Sequence, residues 1–178
     1  LNAEDFGVPQ SRRRLFVIAD REGPPQDPRP RKRKTNPASV FIQNGGYRGS
    51  KRNGYSFQMR PLFSPNRAKP TLERARRAIR HLGEDQPFLI VYYGSDAAGG
   101  WQAVDRPLRT ITTLDRFALV QPVGKCHHMR MLQPPELAAA MGFPKRYVWP
   151  EMTRREHIKL VGNAVSPPVM KAIVKALI

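Results

Sequence analysis

The sequence predicts a mixed α/β chain, and three features predict it. Leu15-Phe16-Val17-Ile18-Ala19 is an uninterrupted apolar run bounded by Arg14 and Asp20, the pattern of a strand buried on both faces. Residues 71 to 82 place Leu72, Ala75, Ile79 and Leu82 on one helical face. From Pro134 onward, helix starts and stops recur. With 178 residues and 40% hydrophobic composition, the chain is long enough for one cored domain or two small lobes.

Taken in order, the run at Leu15–Ala19 implies a core sheet. Residues 21 to 37 are rich in proline and charge and read as a linker or exposed loop, with a boundary inside them. Residues 44 to 54 mix glycines, basic residues and Tyr47 without helical period, and read as turns facing a ligand. The helix over Thr71–Leu82 follows Pro70 and stops at Gly83, with Arg74, Arg76, Arg77 and Arg80 on its solvated face. Phe88–Tyr93 reads as a strand, and Thr110–Thr113 and Phe117–Val120 are further strand candidates. Pro135–Met141 reads as a helix with proline in its first turn and Gly142 at its stop. Thr153 and Glu156 form a capping box, and Gly162 ends the helix they open. Ser166 opens a final helix whose stripe is Val169, Ile173, Ala176 and Leu177.

Charge narrows the function classes. The chain carries 31 Lys+Arg against 14 Asp+Glu, a formal +17, and residues 1 to 80 hold +13 of it. So concentrated an excess repels itself unless a polyanion neutralises it, and neutralising phosphates releases condensed counterions. Nucleic acid is the natural partner. Residues 29 to 34, Arg-Pro-Arg-Lys-Arg-Lys, taken alone read equally as a solvated loop or a localisation tag, but Arg48, Lys51, Arg52, Arg60, Arg67 and Lys69 extend the basic character. No run reaches the roughly 18 apolar residues of a membrane span, and the first residues lack a signal-peptide pattern, so a cytoplasmic protein is expected. The one cysteine, Cys126, excludes an internal disulfide, and Cys126-His127-His128 cannot close a tetrahedral metal site with adjacent ligands. No metal is expected.

Three blocks carry the chemistry. Gln10-Ser11-Arg12-Arg13-Arg14 leads into the apolar run, and residues two apart on a strand share a face, so Arg12 and Arg14 are expected to converge. Arginine suits phosphate or a pyrimidine oxygen because its planar fork stays charged and offers paired donors. Arg106-Pro107-Leu108-Arg109-Thr110-Ile111-Thr112 is the second block, whose guanidinium and hydroxyl groups suit phosphate contacts. Gly162-Asn163-Ala164-Val165 is the third. Between the last two, Arg130-Met131-Leu132 leads through Glu136 to Gly142-Phe143-Pro144 and Tyr147.

In this order the blocks resemble the carboxyl-terminal motifs of the cytosine-5 DNA methyltransferases. The resemblance spans nearly the whole chain, loosely over residues 21 to 104, where a target-recognition region would lie. It implies that Arg14, supported by Gln10, lies beside a flipped cytosine, and that Arg12 meets phosphate. By the same resemblance, Arg106, Arg109, Thr110 and Thr112 touch the backbone of double-stranded DNA, and Lys51 and Arg52 belong to the DNA-reading surface. Asn163 and Ala164 would hold the methionine end of S-adenosyl-L-methionine, with Tyr147 near that cofactor; members often carry Ser where Ala164 stands, so a contact there must use backbone. Helix-opening amides after Ser166 would suit the cofactor's carboxylate.

The implied architecture is a small DNA-recognition lobe plus fragments of a Rossmann-like S-adenosylmethionine-dependent domain. Residues 1–20 would be a remnant of the catalytic domain, 21–125 the recognition lobe, 126–160 hinge helices, and 161–178 a helix returning to the catalytic domain. The family's Pro-Cys-Gln nucleophile loop, Glu-Asn-Val motif and glycine-rich cofactor loop are not in the 178 residues. Cys126, between Lys125 and His127, lacks the nucleophile's context. The chain alone is therefore expected to be inactive, an excised fragment or a split subunit that needs an amino-terminal catalytic part. An exposed stripe on Val169, Ile173 and Leu177, prone to self-association, is expected to go with that reading. A free-standing DNA-binding or regulatory module, its last helix packed internally, is the alternative.

Overall fold

A computed structural model describes residues 1–30, 35–42, 54–94 and 98–177, with the backbone alone of Lys51 and Arg52. The chain opens with a 3-10 turn at Ala3–Phe6, and a second lies at Ala38–Val40. A short hairpin, β1 (Lys51–Arg52) and β2 (Tyr55–Ser56), stands apart from the main sheet. Strand β3 (Arg60–Pro61) precedes α1 (Lys69–Leu82), β4 (Phe88–Val91) and β5 (Trp101–Ala103). The hairpin β6 (Phe117–Val123) and β7 (Cys126–Met131) leads into α2 (Pro134–Ala140), α3 (Arg154–Asn163) and α4 (Pro167–Leu177).

The five larger-sheet strands run antiparallel in the order β3-β7-β6-β4-β5. Alternation along the central strands sends neighbours to opposite faces. Phe88, Ile90, Ala118 and Val120 pack with Ala75 and Ala78 of α1, whereas Leu89, Val91, Phe117 and Leu119 pack with Leu137, Ile158 and Val161 of α2 and α3. The sheet is thus covered by α1 on one face and by α2, α3 and the segment around Leu108 and Ile111 on the other. Both faces being buried, β4 reads as a continuous apolar run, Phe-Leu-Ile-Val.

Several sequence expectations need correcting. Leu15–Ala19 forms no strand: Leu15 and Val17 are 90% and 89% exposed, and Phe16 and Ile18 rest partly buried on Ala3, Phe6, Val8, Val169 and Ile173. No described strand pairs with the run, so only its inner face finds a core. Thr110–Thr113 is no strand either, because side chains take its backbone partners: the Tyr93 hydroxyl donates to Thr110 O, and Arg12 donates to Ile111 O. Helix α1 starts at Lys69, with Pro70 in its first turn, and buries Thr71, Ala75 and Ala78; Leu72, Ile79 and Leu82 lie half-buried at the edge of that face. Gly162 does not end α3, which continues to Asn163. Residues 126–131, expected among helices, form a strand paired with β6.

The final helix is also differently buried. Val169 and Ile173 are covered by Ala3, Phe6 and Val8, so the stripe expected to be bare is closed by the amino-terminal turn, although Leu177 remains 41% exposed. Residues 31–34, 43–50 and 53 lie outside the described set, and with them Arg48 and most of the turns expected over 44–54. No helix of the described residues is long and apolar enough to cross a membrane, and none of their His, Cys, Asp and Glu groups form a metal cluster.

Candidate functional site

Arg12 is where the three sequence blocks meet. An isolated bridge between Asn2 and Arg13 fixes the start of the chain, and Asn2 accepts the Arg12 amide at 2.8 Å. The Arg12 side chain turns inward and is 6% exposed. Its guanidinium donates to Ile111 O at 2.8 Å, to Gly162 O at 2.8 Å and to Ala164 O at 3.3 Å. One planar fork thereby holds a carbonyl of the second block and two carbonyls of the third. Burial first, and then the like charge of Arg14, lower the Arg12 pKa to about 10, which leaves it charged at neutral pH.

Arg12 does not share a task with Arg14. Arg14 is exposed and donates to its neighbour's carbonyl, Arg13 O, at 2.7 Å. Arg14 N is still paired with Leu1 O, and both side chains line one cavity, but only Arg12 is buried among backbone carbonyls. Arg12, the expected phosphate contact, here donates to backbone carbonyls. Gln10 is fully buried at its bridge to Leu108, and neither amide atom has a hydrogen-bond partner among the described residues.

The second block interlocks with the third by close approach. A Cβ on Gly162 would lie 2.2 Å from Thr112 O, so only glycine lets α3 pass there. Ser11 N donates to Leu108 O at 2.7 Å and Leu108 N to Pro9 O at 2.9 Å, which aligns the first two blocks. The Thr110 hydroxyl donates inward to Ser11 O at 3.0 Å, and Thr112 donates to Leu114 O at 3.4 Å. Both hydroxyls, expected to meet phosphate, here lie against carbonyls of the chain itself. Burial raises the Tyr93 phenol above its ordinary value, so it stays a donor to Thr110 O. Arg109 donates to Ala98 O at 3.3 Å, and Arg106 is exposed beside it.

A cavity of about 220 Å³ opens at this junction, lined by Arg12, Arg14, Phe16, Asn163, Ala164 and Val169 among others. Asn163 is exposed at its mouth, as the last residue of α3. Tyr147 is elsewhere: it lines a separate cleft of about 820 Å³ with Phe143, Trp149 and His157, and its ring lies 4.7 Å from that of Trp149. The opening of α4 also departs from expectation. Pro167 and Pro168 have no N–H, and Val169 N donates to Ser166 O at 3.1 Å, so these amides do not form an anion site. The Ser166 hydroxyl is spent on Met141 O at 2.9 Å.

A model of the C-5 cytosine-specific DNA methylase family matches residues 1–178. The chain belongs to that family. No curated protein matches it. The family is one of DNA methyltransferases, and its members generally use S-adenosylmethionine.

Within this cytosine methylase chain, sequence reasoning passed over three supporting contacts. Glu136 is fully buried and takes both terminal nitrogens of Arg130, at 2.7 and 2.8 Å, while accepting Gln133 N at 2.8 Å. It caps α2 and anchors β7 at once; its place three residues after Gln133 was the legible signal. Arg154 joins Asp115 at 2.6 Å, Gln133 Oε1 at 3.2 Å and Leu132 O at 3.0 Å, tying α3 to the end of β7. Tyr55 meets His157 Nδ1 at 2.7 Å, so the β1–β2 hairpin is fastened to α3. No local pattern announces that pair, 102 residues apart.

Proposed function

We propose that this chain is the carboxyl-terminal, DNA-engaging part of a DNA (cytosine-5)-methyltransferase, and that it positions a flipped cytosine for a catalytic part bearing the nucleophile. The observation that carries the reading is the convergence of the three family blocks on Arg12 beside the cavity of about 220 Å³. Arg14 is the exposed guanidinium there, suited to a pyrimidine oxygen or a phosphate through paired donors. Arg106 and Arg109 stand along the second block as phosphate contacts that set register. Lys51 and Arg52 sit on the hairpin that Tyr55 and His157 hold against α3.

The cofactor fits this junction in part. Sites for whole cofactor-sized ligands measure roughly 300–1,000 Å³, so about 220 Å³ suits one end of S-adenosylmethionine rather than all of it. Asn163 and Ala164 would hold its amino-acid end; the cofactor supplies the methyl group. Residues of this chain orient and enclose, whereas attack on carbon 6 of an extruded base needs a thiolate that the chain does not place there. The 178 residues alone therefore do not turn over in this reading.

Complementation tests it. Co-expressed with an amino-terminal part carrying the Pro-Cys-Gln loop, the chain should support methyl transfer to cytosine in duplex DNA. Methylation of adenine, or of nothing, would overturn the reading. One observation favours a second reading, a non-catalytic DNA-binding module: Val169 and Ile173 are packed inside the chain. That module would bind duplex DNA yet leave every amino-terminal partner inactive.

A further inference from the structure

The outer side of α1 carries a feature that the family blocks do not use. Arg76 and Arg80, one helical turn apart, are exposed over a cleft of about 430 Å³ formed with Phe63 and with Lys125 of the β6–β7 turn. The cleft floor is apolar and ordered. Phe63 is 46% exposed, the Arg76 guanidinium carbon lies 5.8 Å from its ring centre, and His127 meets the ring edge-on at 6.2 Å. His127 Nε2 lies 2.9 Å from Glu84 O, which fixes the rim. Arg67 adds a further positive charge nearby through its contact with Pro61 O at 3.1 Å. Among the described residues, Glu84 is the carboxylate lining the cleft, so cations dominate.

This cleft is on the opposite side of the sheet from the three blocks. Helix α1 covers the face of Phe88, Ile90, Ala118 and Val120, while Leu108, Ile111 and Val161 cover the face of Leu89, Val91, Phe117 and Leu119. A duplex seated at the blocks therefore does not lie along Arg76 and Arg80 unless it bends round the sheet edge. Three outward cations around an apolar floor, with the helix's own packing served by Ala75 and Ala78, match the sign of a polyphosphate backbone rather than a packing need.

We infer that Phe63, Arg76, Arg80 and Lys125 form a second contact surface for duplex DNA, bound through its phosphates without sequence preference and outside the target site. The choice of duplex DNA rests on the proposed function; the surface itself rests on charge and placement. Such a contact keeps the chain on DNA while the block face samples bases, because phosphate binding supports sliding and hopping.

The test is titration of the full chain with a short labelled duplex from about 50 to 200 mM salt. Replacing Arg76, Arg80 and Lys125 together by Gln should flatten the slope of log affinity against log salt by about 2.7, at about 0.9 per phosphate neutralised, and weaken binding on the order of tenfold. Lys125→Gln alone should flatten it by about 0.9. Arg76→Lys with Arg80→Lys should keep the slope, since charge and not packing is at work. Unchanged slopes in both Gln variants overturn the inference, as does an equal loss in the Lys variant or tighter binding of a duplex RNA. Loss of methyl transfer on complementation, with these slopes intact, would instead count against the proposed function alone.

Discussion

At the residue scale, Arg12 shows how a motif arginine can be structural in one position and free two residues later. Its three carbonyl acceptors come from segments about a hundred or more residues away, and the two buried ones, Ile111 O and Gly162 O, would lose this donor if the guanidinium were removed. An unsatisfied buried acceptor costs about 1–3 kcal/mol, so Arg12→Met, which keeps volume and removes donors, should destabilise by at least about 2 kcal/mol. The urea midpoint should fall with little change in slope, and a cost under about 1 kcal/mol would show that the carbonyls are otherwise satisfied. His157 makes a different demand. It is 3% exposed, its Nδ1 lies 2.7 Å from the Tyr55 hydroxyl, and burial lowers its pKa below the ordinary 6.5. Because the unfolded chain then binds the proton more readily, the contribution of neutral His157 is complete above pH 6.5 and is lost as pH falls toward and through the lowered folded value. Melting temperature should drop below pH 6.5 more steeply in the natural chain than in His157→Gln; parallel profiles would contradict the assignment.

At the element scale, Gly162 gives a prediction whose sign decides the matter. In an ordinary exposed helix, glycine to alanine stabilises by roughly 0.5–1 kcal/mol. Here the new methyl would meet Thr112 O at 2.2 Å, and the obstacle is backbone rather than a flexible side chain. Overpacking costs about 1–3 kcal/mol, so Gly162→Ala should destabilise, and a rise in thermal stability would refute the close approach of the second and third blocks. The same contact explains what was legible in sequence. Helices α2, α3 and α4 were readable because their signals are local: Pro134 and Pro135 open one, Thr153 and Glu156 cap another, and Pro167 and Pro168 start the third. Strand candidates over Leu15–Ala19 and Thr110–Thr113 failed because extended, apolar or β-branched segments become strands only when a partner backbone is present. In the second segment, side chains of Tyr93 and Arg12 occupy the Thr110 and Ile111 carbonyls instead. The residues of the candidate site were legible as motifs, but which arginine faces inward depends on contacts with Ile111, Gly162 and Ala164 that no local pattern encodes.

For the whole molecule, the two ends of the chain form one unit. Ala3, Phe6 and Val8 from the amino-terminal turn enclose Val169 and Ile173 of α4, apart from the cores on either side of the sheet. The turn is held by Ala3 N donating to Arg12 O at 3.0 Å and Arg14 N to Leu1 O at 2.9 Å, so the first block and the last helix are joined through it. Around this unit the exposed apolar residues include Leu1, Leu15, Val17, Val165, Met170, Val174 and Leu177. Removing the central ring of the unit should release α4 without opening the sheet. Phe6 is 2% exposed, and Phe6→Ala in a core costs about 3–5 kcal/mol, a larger share of a small satellite core than of the sheet cores. Amide exchange should then accelerate across Val169–Leu177 while β4, β6 and β7 keep their protection, and newly exposed Val169 and Ile173 should raise dye binding and self-association. Uniform acceleration in the sheet and α4 together would mean that the ends and the sheet unfold as one cooperative body, and the picture of a separable terminal unit would have to be given up.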